Sequence, residues 1–219
     1  FYKTTELKVL SESFFQSPEQ GHDLLFNRVT LSNISEKTLS FSFYYAIRPY
    51  NPEGVAPTHT ITYLSSKSFI VNDEIGLILD QKPDNVVCLK GSDGDVCDHH
   101  QRLEMILKTT CPENRASSFA EYRVSIEPGK SLSFSSKIPC QKQPPLSKLF
   151  SKALSISRQK KLHSLIETYH SYSYEQTLDS FLDQWDTITK PLPFLKIPDS
   201  KIQQIFGANT AFMLSFIGK

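Results

Sequence analysis

The sequence predicts an α+β chain in which an antiparallel β-sandwich comes first and helices follow. Three observations carry that expectation. Apolar residues alternate with polar ones up to about Pro139, a proline-bearing break follows at Gln141–Pro145, and beyond it the apolar spacing lengthens to that of a helix. Strands followed by helices, rather than strands alternating with them, indicate segregated α and β parts.

The strands can be placed individually. Phe1-Tyr2-Lys3 opens directly into an alternating segment, and Val29–Ser32 continues the β signal. From Lys37 to Tyr45, Leu39, Phe41, Phe43 and Tyr45 share one face while Ser40, Ser42 and Tyr44 share the other, so Phe41 and Phe43 are expected to point into one core. Short strands also fit Phe69–Val71, Ile75–Leu79, Asn85–Cys88 and Tyr122–Ile126. Glu127-Pro128-Gly129-Lys130 then forms a turn, because proline presets φ and glycine takes a positive φ that other residues resist. With Ser131–Ser135 after it, the expectation is a β-hairpin.

Past Pro145 one stripe gathers Leu146, Leu149, Phe150, Ala153 and Leu154, and Leu162, Leu165, Ile166 and Tyr169 extend it. Ser173-Tyr174-Glu175-Gln176 has the form of a capping box, leading a second face of Tyr174, Leu178, Phe181, Leu182 and Trp185. Pro191, Pro193 and Pro198 punctuate a linker, and Asp199 opens a third helix. The expected organisation is therefore a sandwich over 1–140, a helical linker region over 141–198, and the start of a further helical domain over 199–219.

Composition narrows the function classes. With 219 residues, 39% hydrophobic and 21% charged, the chain can bury a core without staples. A net charge of +1 removes the electrostatic basis for a nucleic-acid binder. No apolar run reaches the roughly 18 residues that span a bilayer, so no membrane partner is expected. Four cysteines (Cys88, Cys97, Cys111, Cys140) are read as free thiols, although three pairings stay open. The compartment is left open, with the cytoplasm favoured.

The stretch Ala46-Ile47-Arg48-Pro49-Tyr50-Asn51-Pro52-Glu53-Gly54-Val55-Ala56-Pro57-Thr58-His59 follows a strand. Gly76-Leu77-Ile78-Leu79-Asp80 and the turn Ser92-Asp93-Gly94-Asp95-Val96 come next, and Trp185 later precedes a proline-rich link into Ile197-Pro198-Asp199. This layout resembles the N-terminal part of six-hairpin glycosidase-like proteins, such as glucoamylases, debranching enzymes and disaccharide phosphorylases. The resemblance implies a supersandwich joined by helices to an (α/α)6 barrel, which would be the partner of this chain. It also implies that the catalytic carboxylates belong to that barrel. The chain is expected to be a non-catalytic piece of a longer protein acting on α-glucan or oligosaccharide; a stand-alone carbohydrate- or protein-binding module is the alternative. No family catalytic residue carries over.

Site candidates follow from donor chemistry. Arg48, Tyr50, Asn51, Glu53 and His59 combine planar donors, acceptors and an aromatic face on a loop stiffened by Pro49, Pro52 and Pro57. They are expected to contact sugar or a neighbouring domain from one edge of the sandwich. Asp93, Asp95 and Asp98 read as solvated turn acids, and Cys88, Cys97, His99, His100 and Cys111 lack zinc-site spacing. No metal and no cofactor is expected, and no nucleophile elbow or phosphate loop occurs. On the last helix, Ile202, Ile205, Phe206, Phe212, Met213, Phe216 and Ile217 share a side with Asn209 near its middle. Phe206, Asn209 and Met213 are the expected interface, formed by fold-back or by pairing with a second copy.

Overall fold

The computed structural model describes residues 2–19, 21–51, 54–99, 104–140, 152–189 and 198–217. Among the described residues there are thirteen strands: β1 (Tyr2–Lys3), β2 (Leu7–Gln16), β3 (Leu24–Asn33), β4 (Leu39–Ile47), β5 (Tyr50–Asn51), β6 (Gly54–Val55), β7 (Thr60–Leu64), β8 (Ser68–Val71), β9 (Glu74–Leu79), β10 (Asn85–Leu89), β11 (Lys108–Thr110), β12 (Ser117–Ile126) and β13 (Ser131–Pro139). Three helices follow, α1 (Lys152–Ser171), α2 (Tyr174–Thr189) and α3 (Ser200–Ile217). None of the described helices is long and apolar enough to cross a membrane. The α+β expectation holds: antiparallel sheets form a sandwich, and helices come after it.

The strands form an eight-stranded sheet in the order β1-β2-β3-β13-β9-β8-β7-β11 and a three-stranded sheet in the order β10-β12-β4, with β5 and β6 pairing by themselves. The two larger sheets close on one core. Leu31, Ile61, Phe69, Leu77, Leu79 and Phe134 come from the first, and Val86, Cys88, Ala120, Tyr122, Val124 and Ile126 from the second. Phe41 and Phe43 pack against that core as expected, and the Phe43 ring stacks on Phe134 at 4.8 Å.

Period-2 alternation decides what lies behind each sheet. Phe14 pairs with Phe26, and Phe26 with Lys137, placing all three on the outer face of the large sheet. There α1 supplies Ile166 and Tyr169, both buried. The Phe14 and Phe26 rings stack at 5.1 Å, and Tyr174 meets Phe14 edge-on at 5.2 Å. Behind the small sheet, Val87, Leu89 and Phe119 form a second cluster with Val96. Leu146, Leu149 and Phe150 of the expected helical stripe lie outside the described residues.

The hairpin over Glu127–Lys130 is a correction. The turn forms, with Gly129 at φ +71° and Lys130 N–H donating to Glu127 C=O at 3.1 Å. However, β12 pairs with β10 and β4, whereas β13 pairs with β3 and β9. The turn therefore carries the chain from one sheet to the other. Both strands have one apolar face, and facing each other across the core covers both faces at once. Side-by-side pairing would leave them needing a further layer.

A two-residue connection between β8 and β9 has both central residues left-handed, Asn72 at φ +49° and Asp73 at +67°, as a tight hairpin requires. Asn33 is buried with its amide fully used: it donates to the carbonyls of Lys37 and Ile126, and accepts from Ser35 N–H and Ser35 Oγ. That fixes the β3–β4 connection. Cys88, Cys111 and Cys140 are free thiols, and burial pushes the Cys88 thiol up to about 12.

The chain divides into compact units 1–174 and 175–219. In the second unit, Asp199 Oδ1 accepts from Lys201 N–H (2.8 Å) and Ile202 N–H (3.0 Å), so it caps α3 as its position predicted. Phe181 and Trp185 of α2 meet edge-on at 6.1 Å. On α3, Ile202, Ile205 and Phe206 are exposed, as is Asn209; the side chain of Met213 lies outside the description.

Candidate functional site

Three connections meet at one end of the sandwich. The chain leaving β4 runs through Arg48 and the buried Pro49 to Tyr50. A short 3-10 turn occupies Gly91–Asp93, and the 111–117 connection leads into β12. Thr58 N–H donates to Asn114 C=O at 2.9 Å, and Ala116 N–H donates to Thr58 C=O at 2.9 Å. This pairs Thr58 with Arg115, parallel to it. Gly91 approaches so closely that a Cβ there would lie 2.7 Å from Arg115 Cβ and 3.1 Å from Arg115 O. Only glycine fits that contact without displacing backbone.

Between these connections lies a pocket of about 170 Å³, lined by Arg48, Tyr50, Gly91, Asp95, Arg115 and Ser117 among others. Arg48 Nη2 donates to Asp95 Oδ2 in an ion pair, and its guanidinium sits 5.3 Å from the centre of the Tyr50 ring. Tyr50 is 56% exposed. The arrangement offers fixed donors, a carboxylate acceptor and an open aromatic face within one small concavity.

Arg48 and Tyr50 thus come together as the sequence suggested, and Asp95 joins them. Treating Asp95 as a solvated turn acid was wrong: it is the Arg48 partner, which no spacing of 47 positions could reveal. Arg115, Gly91 and Ser117 were also missed. His59 belongs to the same end of the sandwich, where its Nδ1 is 3.0 Å from Cys111 O and its N–H donates to Asn72 Oδ1 at 2.7 Å. It does not line the pocket; it helps hold the 57–60 segment, with Asn72 Nδ2 donating to Pro57 O at 2.7 Å. Asn51 contributes backbone pairing to Gly54. The Asn51 side chain and Glu53 lie outside the described residues.

The surrounding electrostatics are balanced rather than one-signed. Asp93 Oδ2 accepts from Lys90 N–H at 3.0 Å. The Cys111 thiol donates to Glu113 Oε2 at 3.1 Å, and that bond, helped by a bond to its own backbone and by Arg115 and Lys90, holds the Glu113 carboxyl below its usual range. Cys111 Sγ also accepts from Gly91 N–H at 3.3 Å, which ties the 91 turn to the 111 loop. His99 Nε2 lies 2.5 Å from Asp93 O. Cys88 and Cys111 are buried in the core, while the Cys97 side chain and His100 lie outside the description. Among the described residues, no group of three or more His, Cys, Asp or Glu is placed to hold a metal ion.

The class defined by the fold is a β-sandwich carrying helices at its C-terminal end, with a small polar pocket at one rim. No family model matches the chain. No curated protein matches it either. Among solved structures it is similar to a putative kojibiose phosphorylase from human microbiome, at 8% identity and a TM-score of 0.37, over 78% of this chain and 22% of that one. The chain therefore spans about a fifth of the length of that protein.

Proposed function

We propose that this chain is a non-catalytic β-sandwich module of a glycosidase-like protein acting on α-glucan or oligosaccharide, and that its rim pocket contacts a sugar. The observation that carries the reading is the convergence of Arg48, Asp95, Arg115 and the open Tyr50 ring in one concavity. An aromatic face covers the apolar side of a sugar ring, while guanidinium and carboxylate groups are of the chemistry that hydrogen-bonds its hydroxyls. A pocket of about 170 Å³ is smaller than the roughly 300 Å³ at which drug-sized sites begin, so it suits one monosaccharide unit. One such unit has about a dozen heavy atoms. At about −0.3 kcal/mol per atom, the affinity is about −4 kcal/mol, a Kd near ~1 mM.

The test is calorimetric titration of the chain with maltotriose, and with cellotriose as a linkage control. Maltotriose should bind in the millimolar range, and Tyr50→Ala should weaken it at least fivefold without moving the thermal midpoint. No binding at tens of millimolar, or full binding by both Tyr50→Ala and Arg48→Ala, would overturn the reading. The isolated chain should turn over neither sugar; turnover lost on a single Asp or Glu substitution would show that it is an enzyme by itself.

A further inference from the structure

Helix α1 rests on the outer face of the large sheet through Ile166 and Tyr169, both buried. Next to Tyr169, His170 makes a polar tie to the sandwich: its Nε2 lies 2.7 Å from Ser66 O, in the turn between β7 and β8. A carbonyl oxygen only accepts, so Nε2 carries the proton of the neutral ring and Nδ1 is bare.

The groups facing that ring oppose a second proton. Lys67 from the same turn and Lys137 from β13 are cations, and Asp80, just after β9, is the one carboxylate among them. That carboxylate is already engaged. Lys137 Nζ donates to Asp80 Oδ1 at 2.5 Å, while Lys67 Nζ donates to Asp80 O at 2.6 Å. On α1 itself the nearest acid is Glu167, one turn back and exposed to water. A proton on Nδ1 therefore sets three cations around one carboxylate. His22, at the other side of this helix end, differs: its Nδ1 is 2.6 Å from Tyr172 Oη, and Glu19 Oε2 faces it at 3.6 Å as a counter-charge.

We propose that His170 is an acid-sensitive latch, whose protonation releases the C-terminal end of α1 from the large sheet while the sandwich stays folded. The opening is local because the core between the two sheets contains no residue of α1. Its direction follows from the environment of the ring. Burial first, and then Lys67 and Lys137, hold His170 below its usual range, against the Ser66 bond and Asp80. The released ring, surrounded by water, binds the proton more tightly than the docked one. Protons thus favour release, with an effect that begins as pH falls below about 6.5. Release exposes Ile166 and Tyr169, the apolar surface that docking covers. This inference is independent of the sugar-binding reading.

The test is hydrogen–deuterium exchange on the full chain at pH 7.5 and pH 5.5, with rates normalised to those of the unstructured chain at each pH. Protection over residues 165–171 should fall at least threefold at the lower pH, while protection in β3 and β12 should stay within twofold. His170→Gln, which keeps a donor toward Ser66, should abolish the fall. Lys67→Gln, which removes one facing cation far from the packed face of the helix, should at least halve it. His22→Gln should leave it in place. The proposal is overturned if protection over 165–171 does not change with pH, if β3 and β12 lose protection in parallel, or if the fall survives in His170→Gln or is undiminished in Lys67→Gln. Abolition of the fall by His22→Gln would also overturn it, since the sensor would then be the other histidine.

Discussion

Removing the carboxylate that faces a buried ammonium should cost more than removing the ammonium itself. Lys137 is 1% exposed on the outer face of the large sheet, flanked by Phe26 and Ile78 on the neighbouring strands. Its Nζ lies 2.5 Å from Asp80 Oδ1, and Lys67 Nζ donates to Asp80 O at 2.6 Å. Asp80→Ala leaves the Lys137 charge buried without its counter-charge, a change that costs about 3–5 kcal/mol when both partners are fully buried. The Asp80 carboxylate is 30% exposed, so water compensates part of this and the lower end, about 3 kcal/mol, applies. Lys137→Met keeps the aliphatic stem packed and removes the charge that needed a partner, so it should lie within about 1 kcal/mol of the parent in either direction. Urea unfolding followed by far-UV circular dichroism measures both. With a slope of about 3 kcal/mol/M, Asp80→Ala should lower the midpoint by about 1 M. A loss below about 1 kcal/mol for Asp80→Ala, or a larger loss for Lys137→Met than for Asp80→Ala, would refute the argument.

Two further outcomes are expected. Phe43 is half-buried, in ring contact with Phe134 and Tyr45, so Phe43→Ala should cost about 2–3 kcal/mol in the same assay, less than the roughly 3–5 kcal/mol of a fully buried phenylalanine. His170, whose Nε2 lies 2.7 Å from Ser66 O, is held below its usual pKa chiefly by burial, with Lys67 and Lys137 opposing its protonation while the Ser66 bond and Asp80 favour it. The unfolded chain then binds the proton more readily than the folded one. Its contribution to stability is present above the unfolded value of about 6.5 and is lost as pH falls from there through the folded value. His170→Gln, which keeps a donor toward Ser66, should flatten the fall in unfolding free energy between pH 7 and pH 5; an unchanged slope would show that the fall arises elsewhere.

Strand identity was legible because it depends on local alternation. The Leu39–Tyr45 pattern, Ile75–Leu79 and Asn85–Cys88 all appear within a residue or two of their expected limits, as β4, β9 and β10. The Asp199 cap was equally local, since an aspartate needs only the next three residues to accept their N–H groups. Free thiols at Cys88, Cys111 and Cys140 also followed from sequence reasoning. β7, which carries Tyr63 and Ile61 into the core, was missed because the proline-rich loop before it drew the chain into a single irregular segment.

Sheet membership needed the tertiary structure. The turn at Glu127–Lys130 is compatible with a hairpin or with a crossing between sheets, and its own residues do not distinguish them. What decides is whether β12 and β13 bury more apolar surface side by side or face to face, which depends on β3, β4, β9 and β10 far away in sequence. The pocket shows the same division. The sequence by itself placed Arg48 and Tyr50 on a stiffened loop and marked that loop for its donor chemistry. It could not supply Asp95, Arg115 and Gly91, because they reach the pocket only when the 91 turn and the 111–117 connection pack against that loop. Backbone alternation is written in neighbouring residues. Ion pairs and close approaches between loops arise only from which elements the shared core brings together.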